Sequence, residues 1–142
     1  MCRSFKILIA IAYILFIVSC KKYQDGPEFS FRSVAKRLER KWKLDRIEQN
    51  GQVVTFPYNP QYQDYEYTKD GKFILRALNA YQAIPMYQEG TWQFIDNKMK
   101  IFTSIYAYND TMDIHRLTSK ELWLFDGTNS PGLRALYKFK AE

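Results

Sequence analysis

Few residues in this chain have the chemistry to make or break a bond, and their positions narrow what they can do. There are two cysteines, Cys2 and Cys20, and one histidine, His115. A lone histidine builds neither a His-based metal site nor a Ser-His triad, so His115 is read as a sheet residue. The acidic pairs are Asp64 with Glu66 and Asp110 with Asp113. Asp64 and Glu66 alternate with Tyr65 and Tyr67, which turns both carboxylates to solvent. Asp110 and Asp113 flank an expected turn at Asn109-Asp110. Neither pair has surroundings that would drive two pKa values apart for acid–base work. No catalytic residue, metal ligand or cofactor is assigned, and the chain is not read as an enzyme.

The remaining reactive group is the Cys20 thiol. Arg3 and Lys6 form a basic head, Ile7 to Val18 run without a charge, and Ile17-Val18-Ser19 leads into Cys20. This is the layout of a secretory signal: positive head, apolar stretch, small-residue cleavage site. Twelve helical residues at about 1.5 Å each reach about 18 Å, short of a hydrocarbon core of about 30 Å, so an uncleaved membrane helix is the weaker reading. A cysteine at the exit resembles the lipobox of bacterial lipoproteins. That resemblance implies cleavage before Cys20 and acylation of its thiol with several chains. Each buried methylene contributes about 0.8 kcal/mol, so one acyl chain holds a protein marginally and two or more hold it stably. The expected organisation is a signal peptide over 1–19, a lipid anchor and flexible tether over 20–32, and one domain over 33–142. The domain then has no thiol and no disulfide, and its stability must come from packing.

The net charge of +6 is uneven. Residues 1–46 carry eleven Lys or Arg against four acids, and from Ile47 onward ten basic residues meet eleven acidic ones. The body of the domain is therefore close to neutral. No basic stripe crosses it, so nucleic acid is not an expected partner. The basic excess beside the anchor is either a solvated helix face or an attraction to anionic headgroups.

Gly26-Pro27 lies in the expected tether. Ser33 is an N-cap candidate, with Val34, Leu38 and Trp42 following at i, i+4 and i+8, so a short helix is expected over about 34–41. The pattern then changes to β. Strands are expected at 42–48, 53–56, 63–69, 72–78, 88–94, 99–106, 112–117, 122–125 and 133–140. Turn chemistry separates them at Asn50-Gly51, Asp70-Gly71, Asp96-Asn97, Asn109-Asp110, Ser119-Lys120 and Asp126-Gly127. Short strands joined by tight turns make an antiparallel up-and-down meander, and closing it into a barrel of about eight strands removes its edges. The fold class is mainly β with one short N-terminal helix.

Three stretches carry a resemblance: Cys20-Lys21-Lys22-Tyr23-Gln24-Asp25-Gly26-Pro27 with Ser30, Arg32 and Ser33; Trp42-Lys43-Leu44 leading to Asn50-Gly51; and residues 65–73 with Gly90-Thr91-Trp92-Gln93-Phe94 and the turn from Leu117 to Leu122. Together these resemble the lipocalin-like lipoproteins of Bacteroidota, a group mostly without assigned function. The resemblance implies an exported chain held by membrane lipid through Cys20, at the outer membrane. Lys21 and Lys22 stand where surface-export signals of that phylum favour acids, so the membrane face is left open. The lipocalin pattern also implies a barrel floor made by Trp42 beneath an arginine of the last strand, Arg134. Asp110-Thr111-Met112 resembles the O-glycosylation acceptor of the phylum, with Thr111 as the modified residue.

Two functions remain open at the level of sequence. An eight-stranded barrel either holds one small ligand or fills its interior with side chains. Asn79 to Glu89 reads as the longest connection within the sheet, carrying Tyr81, Ile84, Met86 and Tyr87. It is either a lid over a small hydrophobic ligand held by Tyr81, Met86, Tyr87 and Trp92, or a loop packed on its own rim. The alternative is a non-enzymatic envelope interaction or structural protein with a filled core, whose protein partners the sequence does not name.

Overall fold

The structure, a computed structural model, describes residues 23–25, 31–54, 63–78, 85–127 and 134–142. After Tyr23–Asp25 comes one helix, α1 (Val34–Leu38), and then nine strands: β1 (Lys41–Gln49), β2 (Gln52–Val53), β3 (Asp64–Tyr67), β4 (Lys72–Leu78), β5 (Pro85–Ile95), β6 (Lys100–Ile105), β7 (Tyr108–Leu117), β8 (Glu121–Asp126) and β9 (Ala135–Ala141). All neighbours pair antiparallel in the order β1-β3-β4-β5-β6-β7-β8-β9, and β9 pairs back onto β1 from Trp42↔Ala141 to Gln49↔Ala135. Eight strands thus close an up-and-down barrel with a lipocalin-like fold. The ninth, β2, only extends the tip of β1 through the Asn50-Gly51 turn, whose two residues take φ of 51° and 78°. An Asn-Gly pair suits that turn because both residues tolerate the left-handed region.

Period-two alternation builds the core. Tyr65 and Tyr67 on β3, Phe73 on β4, Ile101 on β6, Ile114 on β7, Leu122 and Leu124 on β8, and Ala135 and Phe139 on β9 are buried, and their neighbours in sequence face outward. On β1 the inward set is Trp42, Leu44 and Ile47, and the three-residue step falls at a bulge between Leu44 and Arg46. Gly90 sits on β5 where β6 comes closest, and a Cβ there would collide with the Ser104 carbonyl oxygen. A strand glycine at a barrel bend lets the two backbones approach.

Ser33 caps α1 as expected, its Oγ accepting from the Lys36 N–H at 3.3 Å. The helix stops at Leu38, earlier than the periodicity predicts, because the chain must turn at Arg40 to start β1. Leu38 and Trp42 are both fully buried at that turn. This is the closed end of the barrel, and it also carries the turns at 68–71, 96–99 and 118–120.

Two strand starts differ from the sequence reading by three residues or more. β5 begins at Pro85, with Met86↔Ala77 and Tyr87↔Arg76 in the ladder, so Met86 and Tyr87 belong to a strand and not to a loop. The β6–β7 turn is Tyr106-Ala107, and Asn109-Asp110 already pairs with Ser104 and Thr103. That register sets Met112 opposite Ile101 and turns Ile114 inward. Apolar register outweighs turn preference here, even though Tyr106 is forced to a φ of 53°.

The stretch expected to be a free tether contributes to the core. Tyr23 is 2% exposed, and its hydroxyl donates to the Lys98 carbonyl at 3.2 Å. Cys20 and the rest of residues 1–22 lie outside the described residues.

Candidate functional site

The barrel encloses a cavity of about 130 Å³, lined by Tyr65, Tyr67, Phe73, Leu75, Ile101, Thr103, Ile105, Tyr108, Asp110 and Met112. These come from β3, β4, β6 and β7, each through its inward-facing positions. The cavity rests on an aromatic cluster. Tyr65 packs edge-on to Phe73 at 5.2 Å and against Phe139 at 4.7 Å, and Tyr67 lies 5.1 Å from Phe73. It reaches the surface at Tyr108, which is 83% exposed.

The upper wall of the cavity is polar and negatively charged. Asp110 lies in it, and the Tyr65 hydroxyl there accepts from Gln63 Nε2 at 3.1 Å. Burial pushes the Tyr65 phenol well above its ordinary value, and the neighbouring Tyr137, Asp110 and Asp126 add to the shift. Burial also raises Tyr137, again reinforced by Asp126 and Asp110. Tyr67, fully enclosed, is raised by burial first and then by Tyr65 and Asp110. Two carboxylates therefore act on one tyrosine cluster inside the barrel. Asp126 Oδ1 is buried without a hydrogen-bond partner among the described residues.

Of the ligand residues expected from sequence, Met86, Tyr87 and Trp92 do not line this space. Tyr81 lies outside the described residues. Met86 and Tyr87 are exposed on β5, where Tyr87 bonds Glu89 and lies 5.8 Å beneath the Arg76 guanidinium. Trp92 packs low in the core, 5.6 Å from Tyr67 and 5.2 Å from Phe94, and its Nε1 donates to Thr68 O at 3.0 Å. Position explains the difference. The lining strands flank β5 on both sides, but Met86, opposite Ala77, lies near the exposed start of β5, and Tyr87 lies opposite the outward Arg76. Thr103 and Met112 fall within strands expected from sequence, whereas Asp110 reads as a turn residue, which hides its inward position on β7.

Trp42 lies on the floor, fully buried, with its Nε1 donating to Leu38 O at 2.9 Å. Arg134 is not its partner. It is exposed and precedes Ala135, which pairs with Gln49 at the opposite end of the seam from Trp42. The cation over the indole is Arg40, 5.8 Å from the ring, and the buried arginine beside it is Arg37, whose Nη1 donates to Leu117 O at 2.9 Å.

Thr111 is not at an exposed turn. It is a half-buried residue within β7, opposite Phe102, so the geometry that favoured its glycosylation is absent. Glu66 pairs with Arg76 at 2.7 Å, and Asp113 pairs with Lys100 at 3.3 Å on the outer surface, away from Asp110. His115 stacks on Phe125 at 5.0 Å, with Asp25 3.8 Å away. The outward Trp123 is roofed by Lys138 Nζ at 4.1 Å and by Arg116 at 5.1 Å. Among the described residues no three metal-capable side chains converge, and no helix is long and apolar enough to cross a membrane.

No family model matches the chain, and no curated protein matches it with significance. The lipocalin-like assignment therefore rests on the barrel itself.

Proposed function

We propose that this chain is a lipid-anchored, lipocalin-like binding module of the bacterial envelope, related to the lipoproteins of Bacteroidota, that holds one small ligand inside its barrel. The observation that carries this reading is the cavity over Tyr65 and Tyr67. Its volume of about 130 Å³ is close to that of dry cavities that take up a benzene-sized molecule, and well below the roughly 300–1,000 Å³ of drug-sized pockets. The ligand that suits it is a single ring or a short branched chain. Its apolar body rests on Phe73, Leu75 and Ile101, and a hydrogen-bond-donating or positively charged end faces Asp110. Acylated Cys20 supplies the anchor, at the outer membrane.

The test is native mass spectrometry of the protein taken from its own envelope, beside a Met112→Trp variant whose larger side chain fills the cavity. A small adduct on the parent chain and none on the variant is the expected result. Two bare masses would overturn the carrier reading.

A second reading, an interaction protein that uses its outer surface, is favoured by the rim. Tyr87, Tyr106 and Tyr108 are all more than half exposed there. Under that reading the bare-mass result would be joined by loss of a protein partner in a Tyr106→Ser, Tyr108→Ser double variant.

A further inference from the structure

We propose that Tyr23–Asp25 is a docking strap that holds the closed end of the barrel against the membrane surface and points the cavity away from it. The inference rests on the reading that Cys20 is acylated, and it adds an orientation that acylation alone does not give. A lipid-anchored domain on a free tether of a dozen residues has a leash of about 40 Å, enough to let a small barrel turn over. The contacts of Tyr23 and Asp25 remove that leash.

Three contacts hold the strap. The Tyr23 ring is 2% exposed, with its hydroxyl on the carbonyl of Lys98 in the β5–β6 turn. The Asp25 N–H donates to His115 O at 2.8 Å, and the Asp25 carbonyl accepts from Arg116 Nη1 at 2.6 Å. His115 falls at a bulge between Ile114 and Arg116, where it has no cross-strand partner on β8, so the strap docks at a break in the ladder. Lys98 and Arg116 both belong to the closed-end half, beside α1 and Leu117.

Only Lys21 and Lys22 separate Cys20 from Tyr23. Three Cα–Cα steps of about 3.8 Å place the two Cα atoms no more than about 11 Å apart in any conformation. The acylated cysteine is thus tied to the closed end. β9 spans seven residues, so the far end stands about 15–20 Å further from the bilayer at ordinary strand rise and tilt. A ligand would then enter from the aqueous side and not from the lipid. The charges near this end are mixed, with Arg40, Lys41, Lys98 and Lys120 beside Glu39, Asp96 and Glu142. The orientation therefore comes from the short leash and not from a charged patch.

The experiment uses the full lipidated chain in vesicles of phosphatidylethanolamine and phosphatidylglycerol containing a headgroup-nitroxide lipid. With Cys2 removed and Cys20 acylated, an introduced cysteine is the only free thiol for a fluorophore. Lys120→Cys labels the closed end, and Ala107→Cys labels the far turn; both positions are exposed. Quenching several-fold stronger at 120 than at 107 is expected. Tyr23→Ala should bring the ratio toward one, and Asp25→Pro, which removes the strap's N–H donor and the carboxylate beside His115, should lower it without disturbing the barrel core. Equal quenching at both sites in the parent chain, or stronger quenching at 107, overturns the orientation while leaving acylation standing. A parent chain that does not float with the vesicles overturns the acylation reading and the strap together.

Discussion

The indole Nε1 of Trp42 donates to the carbonyl oxygen of Leu38 at 2.9 Å, so the side chain that plugs the barrel also satisfies the end of the helix that closes it. One residue thereby joins α1 to the floor. A Trp buries roughly 150–250 Å², which at about 25 cal/mol/Å² corresponds to about 4–6 kcal/mol of gross stabilisation. Trp42→Ala should cost about 3–5 kcal/mol in chemical denaturation. Trp42→Phe keeps most of the ring but removes the indole bond, leaving Leu38 O with the Arg40 N–H alone, and should cost about 1–2 kcal/mol. Loss of under about 1 kcal/mol in the alanine variant would place this residue outside the core.

Cys20→Ala should release the protein from membranes and leave the domain folded. Fractionation and circular dichroism on the same sample read both parts. A mutant still stably retained in the membrane fraction would sink the acylation reading.

Tyr106 occupies the left-handed region at φ 53° and is 81% exposed. A non-glycine residue there stores on the order of 1–3 kcal/mol, and its ring buries little in return. Asparagine tolerates this backbone, so Tyr106→Asn should raise stability by about 1 kcal/mol and the melting temperature by about 4 °C. A lower melting temperature would mean that the ring packs in solution.

Tyr23, Tyr65 and Tyr67 give the alkaline limb of stability. Burial chiefly pushes Tyr23 up to about 12, with Arg37 opposing, and raises Tyr65 and Tyr67 as well. Tyrosine is an acid, so a raised folded value means the fold favours the neutral phenol. The contribution is complete below the unfolded value of about 10 and is lost as pH rises through the folded values. Ultraviolet titration should show these three phenols ionising only as the barrel unfolds. Tyr23→Phe should be less sensitive between about pH 10 and 12 than the parent. An unchanged alkaline limb would show that Tyr23 is solvated.

Much of the barrel was legible because alternation is a local signal. Tyr65 and Tyr67 declare their inward face against Asp64 and Glu66, and Asn50-Gly51 declares its turn. The cavity was harder to see, since its walls come from four strands and none of its residues is unusual alone. Its polar wall has no local signal, because Asn109-Asp110 reads as a turn. Those residues carry better turn chemistry than Tyr106-Ala107, and only the pairing of Met112 with Ile101 overrides them. The docked Tyr23 had no local signal at all. Its hydroxyl meets a carbonyl 75 positions along the chain, and the glycine and proline just after it advertise a linker.

The seam between β1 and β9 gives the chain a schedule. A polypeptide is synthesised N-terminus first, so β1, with Trp42 and Leu44, emerges long before the strand that must cover its open edge. Until Ala135–Ala141 arrives, the incomplete sheet has two unpaired rims and a hydrophobic interior facing water, the condition in which β-rich intermediates stick to one another. Ring closure is then the commitment step of folding, and it comes at the end of synthesis. A chain that stalls before β9 should be recognised as damaged by chaperones and proteases. A stop codon anywhere ahead of β9 should thus remove the protein altogether, and not leave a weakened form of it.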